Sequence, residues 1–158
     1  MSLFIRSSSL TSSTSEQLDS EKAGMRSDTY LEDDVVEAYI LSLSFDTEKS
    51  FVFCRPTNLG GHGWSSETAD AHIELYKKWL LLVRRHFDLE LPPSEEVDAV
   101  WHAHMMNTER YHADCNKIFG VYLHHDPSFG SSAEDLPKLL TAFEQTKKLF
   151  FAEYGISL

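Results

Sequence analysis

The sequence has few cysteines, few basic residues and few glycines, and the first two shortages exclude whole classes of protein. The two cysteines lie in different contexts, Cys54 in an apparent β-strand and Cys115 in a histidine-rich run, which indicates no disulfide framework and favours a reducing compartment. Lysine and arginine number 14 against 25 acidic residues, for a formal net charge of −11. Because nucleic-acid binding requires cationic neutralisation of phosphates, we expect neither DNA nor RNA to be a direct partner.

Long apolar runs are also missing. No stretch approaches the ~18 apolar residues of a membrane span, and the start of the sequence lacks the apolar core of a secretory signal, so we expect a soluble, cytoplasmic protein. Residues 1–15 are rich in serine and threonine, contain Arg6 and lack acidic residues, which gives organellar import as a weaker alternative. With so few large apolar side chains, residues 1–27 are predicted to form a disordered tail.

Apolar side chains recur at helical spacing through most of the remaining chain. A chain of 158 residues, 42% of them hydrophobic, suffices for one compact domain, which we assign to residues 28–158. The periodicity predicts four helices, over about residues 35–43, 66–88, 95–119 and 133–151, the last packing on the third. Residues 49–55 (KSFVFCR), β-branched and aromatic, are the best strand candidate, although a short buried helical segment would have a similar composition. The expected fold class is mainly α: a small helical domain of about four helices with at most one short strand or hairpin.

Residues 97–130 (VDAVWHAHMMNTERYHADCNKIFGVYLHHDPSFG) contain five of the eight histidines. On a regular helix His102 and His104 would point about 160° apart and could not bind one ion, whereas Asp98 and His102 have the i, i+4 spacing of neighbours on one face. Asn107 is a good N-cap residue, so the helix is predicted to break or kink there. Gly120 is expected to end the helical segment, after which the returning chain brings in His124 and His125.

This run resembles the signature of the glycine-rich domain-containing protein-like family, which reads roughly V-D-x-x-W-H-x-H-x-x-D-T-x-x-Y-x-x-D-C-x-x-x-F-G followed by L-H-H. The resemblance extends from about residue 63 to residue 155. Eleven positions match: Asp98, Trp101, His102, His104, Thr108, Tyr111, Asp114, Cys115, Phe119, Gly120 and His125. The chain departs from the pattern at Asn107, where aspartate is usual, and at Ser128, where an aromatic residue is usual. His112 lies at a position that tolerates small residues. The resemblance implies no established reaction.

Two functions therefore follow from the histidine run. In the first, the domain binds zinc or iron through His102 and His125, with Asp98, His104 or Cys115 completing the shell. In the second, the domain is a metal-free helical interaction module whose histidine, tryptophan, tyrosine and cysteine residues form a buried structural network, with the acidic first helix docking a basic partner. The sequence indicates neither a reaction nor a substrate, and the partner, a protein or a small molecule, is not identified.

Overall fold

The computed structural model describes residues 32–158, so the predicted tail, residues 1–27, lies outside the described residues. Five helices account for most of the described chain: α1 (Asp33–Ser42), α2 (Ser66–Arg85), α3 (Glu95–Met106), α4 (Thr108–Phe119) and α5 (Leu136–Tyr154). Shorter helical segments cover Asp46–Glu48, Lys49–Phe53 and Thr57–Leu59. The described residues contain no β-strand, and the predicted mainly α fold class is confirmed.

The helices begin and end at residues with clear local roles. The hydroxyl oxygens of Ser65 and Ser94 accept hydrogen bonds from backbone N–H groups three residues further on, at 3.1 and 3.4 Å, which caps α2 and α3. The break at Asn107 is confirmed, since it separates α3 from α4, but its side chain makes no capping hydrogen bond. Gly120 and Gly155 end α4 and α5 with φ of 72° and 67°, a region that disfavours other residues.

Helix α2 lies at the centre of the domain and contacts α1, α3 and α5. The indole N–H of Trp79 donates to the carbonyl oxygen of Leu91 at 2.9 Å, and its ring lies 4.8 Å from that of Trp101 on α3. Helix α5 was predicted to pack on the central helix run, but its main contacts are with α2. The hydroxyl of Tyr154 donates to the carbonyl oxygen of Lys78 on α2. None of the helices in residues 32–158 combines the length and hydropathy of a membrane-spanning segment.

The predicted strand at residues 49–55 is wrong. Lys49–Phe53 forms a turn of π-helix, in which the N–H of Cys54 donates to the carbonyl oxygen of Lys49 at 2.8 Å. A strand needs a neighbour to satisfy its backbone groups, and here the following loop does so instead: the N–H groups of His62 and Trp64 donate to carbonyl oxygens of this segment. The β-branched and aromatic residues of this segment therefore form a helical turn at the edge of the core, with Phe53 buried and Phe51 exposed, and not a strand of a sheet.

Candidate metal centre

Helix α3 places Asp98 and His102 on the same face. The capped start of the helix at Ser94 lies four residues before Asp98, and His102 follows one turn later. Their side chains approach each other, with His102 Nε2 3.4 Å from Asp98 Oδ2. This face carries a carboxylate and an imidazole at the edge of the domain, with the His102 side chain 38% exposed and that of Asp98 16% exposed.

A buried relay of hydrogen bonds holds the chain that carries His125. The indole N–H of Trp101 on α3 donates to the hydroxyl oxygen of Tyr111 on α4 at 2.8 Å, and the Tyr111 O–H donates to the carbonyl oxygen of Leu123 at 2.7 Å. The side chain of Leu123 is itself buried. The ring of His125 lies 5.0 Å from that of Trp101. The relay therefore joins α3, α4 and the returning chain two residues before His125.

The three side chains converge on one point. The Nε2 atoms of His102 and His125 lie 2.8 Å apart, and His125 Nε2 lies 3.4 Å from Asp98 Oδ1. One ligand atom from each of Asp98, His102 and His125 lies within 4.8 Å of the other two. Among residues 32–158, no other group of three or more histidine, cysteine, aspartate or glutamate side chains shows this convergence.

The donor set and its spacing fit a divalent transition metal. Two imidazole nitrogens bound to one tetrahedral zinc ion, each about 2.05 Å from it, would lie about 3.3 Å apart. The observed 2.8 Å between the nitrogens is a few tenths of an ångström shorter. Each 3.4 Å contact with Asp98 is longer than an ordinary hydrogen bond, so the carboxylate faces both rings without a close bond to either. A small outward movement of the rings would admit an ion between the three groups.

The electrostatics of this group favour a neutral imidazole at His125. Burial lowers the pKa of His125, the charge of Asp98 opposes that shift, and the neighbouring His102 adds to it. The His125 side chain is only 9% exposed. An imidazole must be deprotonated to bind a metal, so the lowered pKa keeps a ligand lone pair free near neutral pH.

His104 lies apart from this group, in the core. Its Nδ1 is 2.9 Å from the Tyr76 hydroxyl and its Nε2 is 2.9 Å from Asp114 Oδ2, so both ring nitrogens have partners. Tyr39 donates to the other oxygen of Asp114 at 2.5 Å. Thus His102 and His104 serve different networks, as their helical angle predicts, and His104 is not among the converging side chains.

Cys115 also lies apart from the converging side chains. It is 1% exposed within the core, and burial raises the pKa of its thiol. A thiolate is the form that binds metals and attacks substrates, so this environment suits a small buried apolar residue. His112 lies on the exposed side of α4, where its Nδ1 is 3.2 Å from the side-chain nitrogen of Asn116.

The sequence reasoning missed the outer partners of the Asp114 network. Tyr39 appeared only as an apolar position in a helical stripe, and 75 residues separate it from Asp114. Arg110, whose Nε lies 3.5 Å from Asp114 Oδ2, has the i, i+4 spacing that could have indicated an ion pair. No local signal connects Tyr39 or Tyr76 with this carboxylate and its histidine, because those contacts join separate helices.

No protein family model, no curated protein and no solved structure matches this chain.

Proposed function

We propose that this domain binds one divalent metal ion, zinc or iron, through Nε2 of His102, Nε2 of His125 and the carboxylate of Asp98. The observation that carries the proposal is the convergence of three ligand atoms within 4.8 Å from two separate parts of the chain. When neither Nε2 atom carries a proton, the two imidazole lone pairs and the carboxylate face one point, and a metal ion satisfies all three at once.

This donor set leaves room for a further ligand on the metal. Three protein ligands occupy part of a tetrahedral zinc shell, and two histidines with one carboxylate are the ligand set of open non-haem iron centres. The 38% exposure of the His102 side chain leaves one side of the group accessible to solvent. A water molecule or a small substrate therefore has access to the open position, where the metal would act as a Lewis acid.

The second candidate function is the metal-free interaction module, and one distance favours it. The 2.8 Å between the two Nε2 atoms is also a good hydrogen-bond distance if one ring carries its proton on Nε2 and the other on Nδ1. In that case the histidine pair links the returning chain to α3 without any ion, and the motif stabilises the fold.

We also propose membership of the glycine-rich domain-containing protein-like family, on the motif alone. The matched positions include the converging Asp98, His102 and His125 as well as the core residues His104 and Cys115. Two roles within one motif are physically reasonable, because one set of side chains would bind the metal while the other builds the core beneath it.

Metal content per chain tests the main proposal directly. We expect tag-free protein, purified without added metal or chelator, to contain close to one zinc or iron per chain by elemental analysis. Asp98→Asn should lower zinc affinity at least tenfold, and His102→Ala with His125→Ala should abolish metal content. His124→Ala and Glu96→Gln are matched controls, since both residues are exposed neighbours outside the converging group.

Circular dichroism separates loss of metal from loss of fold. Normal helicity with no metal in the double variant supports a functional site. The metal proposal is overturned if the wild-type protein contains no metal and its melting temperature is unchanged by zinc or ferrous iron. The interaction module is then favoured, and the double variant should lose stability even in metal-free buffer.

A further inference from the structure

A groove with both apolar and polar walls lies between the π-helical turn and the junction of α3 with α4. Its volume is about 450 Å³, and its walls include Phe51, Val52, Ala103 and Met106. Met106 and Phe51, 78% and 68% exposed, are the two most exposed large hydrophobic side chains among the described residues. Both line this groove, while other exposed apolar side chains, such as Leu59 and Phe151, lie elsewhere on the described surface. Two large apolar side chains this exposed on one groove form a surface suited to binding another segment.

The groove carries negative charge, part of which the neighbouring Arg110 neutralises. Glu48 and Glu109 line it, and no lysine or arginine does among the described lining residues. Glu48 is only 6% exposed, with Oε1 3.4 Å from a guanidinium nitrogen of Arg110 and Oε2 without a hydrogen-bond partner among the described residues. A segment that presents apolar side chains next to a cation therefore matches both the walls and the charge of the groove.

We propose that residues 3–6 of the same chain, Leu3-Phe4-Ile5-Arg6, occupy this groove. They form the only run of three consecutive large apolar residues within residues 1–31, and Arg6 follows it directly. The apolar side chains would pack between Phe51 and Met106, with the guanidinium beside the two glutamates. This inference is independent of the metal site.

The length of the intervening chain suits that contact. Asp33, at the start of α1, pairs with Arg84, which also donates to the carbonyl oxygen of Ile118 near the end of α4. The groove lies at the other end of α4, one helix of 12 residues away, about 18 Å. Residues 7–31 join Arg6 to Glu32, and a chain of 25 residues can span up to about 80 Å when extended, far more than this distance. The covalent connection therefore permits the run to reach the groove of its own chain.

Methyl NMR on the full chain, labelled at methionine and isoleucine, tests the proposal. Ring currents from Phe4 should shift the Met106 methyl resonance, so Phe4→Ser should move that resonance while the matched control Leu10→Ser leaves it in place. In the reverse direction, Phe51→Ser should return the Ile5 methyl to its random-coil position. Phe151 on α5 is similarly exposed, and Phe151→Ser should leave the Ile5 methyl resonance unchanged. The resonances of Ile40, Ile73 and Ile118 report that each variant remains folded.

Three outcomes would overturn the proposal. An Ile5 methyl at its random-coil position in the wild-type chain means that the run does not dock. A Met106 resonance that responds equally to Phe4→Ser and Leu10→Ser means that the contact is nonspecific. Shifts that weaken on dilution mean that a second copy supplies the segment, and the groove is then an intermolecular surface.

Discussion

Three side chains from separate positions, Tyr39, His104 and Arg110, contact the two carboxylate oxygens of Asp114. Burial by itself would raise its pKa, but hydrogen bonds from His104 and Tyr39 and the charge of Arg110 outweigh that effect and lower it. A carboxyl whose pKa is lower in the folded than in the unfolded state stabilises the fold above its unfolded pKa. That contribution is lost as the pH falls through the folded pKa.

We therefore predict that Asp114→Asn lowers the free energy of unfolding by about 2 kcal/mol at pH 7, because it removes charged hydrogen bonds within the core. The difference from wild type should shrink below about pH 3.9, where the unfolded carboxyl is protonated. Denaturant titrations at several pH values measure both effects. Asp70→Asn is the control: Asp70 pairs with Lys49 at the surface, so little change is expected. Equal losses in the two variants would contradict the role given to Asp114.

Tyr111 is the second residue whose single polar atom connects several parts of the structure. Its hydroxyl accepts from Trp101 and donates to Leu123, and all three residues are buried. We predict that Tyr111→Phe costs about 2 kcal/mol, because it leaves a buried donor and a buried acceptor without partners. It should also weaken zinc binding severalfold, since the chain carrying His125 loses its anchor. Denaturant unfolding and zinc competition measure the two effects.

The control for Tyr111 is Tyr154→Phe, which removes a hydroxyl that donates to the carbonyl oxygen of Lys78 on α2 and takes no part in the relay. That variant should lose some stability and retain its zinc affinity. If Tyr111→Phe binds zinc as tightly as wild type, the relay supports the fold without positioning the ligand.

At the scale of elements, the junctions decide where the ligands lie. The end of α4 at Gly120 has φ of 72°, and a Cβ added there would contact nothing within 4 Å. The position requires glycine for its backbone conformation and not for space. The left-handed turn reverses the chain so that His125 returns to the side of α3.

We predict that Gly120→Ala and Gly155→Ala each cost about 1 kcal/mol, because both impose a left-handed conformation on alanine. Gly155 is a matched control, with φ of 67° and equally open surroundings, but it follows α5 and carries no ligand. Only Gly120→Ala should lower zinc affinity, measured against a chromophoric chelator. Similar zinc affinities in the two variants would show that the turn does not position His125.

For the whole molecule, a bound ion would act as a cross-link. Asp98 and His102 belong to α3, whereas His125 belongs to the chain that returns after α4, so a metal would join two parts that are otherwise held by the Trp101 relay and by apolar contacts. The unfolded chain does not bring these residues together, and binding energy is therefore added to the free energy of folding.

We predict that zinc at one hundred times its dissociation constant stabilises the protein by about 2.7 kcal/mol and raises the melting temperature by several degrees. Adding a chelator should reverse the shift. The double variant His102→Ala with His125→Ala should show no shift in differential scanning calorimetry. A zinc-induced shift that persists in that variant would place the binding site elsewhere.

Much of the fold was predictable because its signals are local. Helical periodicity, the serine caps at Ser65 and Ser94, the break at Asn107 and the glycine end at Gly120 each depend on residues within one or two turns. The angular spacing of residues on a regular helix likewise predicted that His102 and His104 point in different directions. Residues 49–55 were misassigned because their composition suits a strand equally well, and only contacts with the following loop show that the backbone is helical.

By itself, the sequence determined the helical class, the start and end of most helices, and the pairing of Asp98 with His102 on one face. These features arise from spacing along a regular helix, which is independent of the rest of the chain. Only the tertiary structure decided that His125 joins that pair while His104 and Cys115 enter the core. The position of each of these side chains depends on how the chain folds back after Gly120 and on the hydrogen bond from Trp101 on α3 to Tyr111 on α4. Such contacts join segments that are distant in the sequence, and they leave no periodic signal in it.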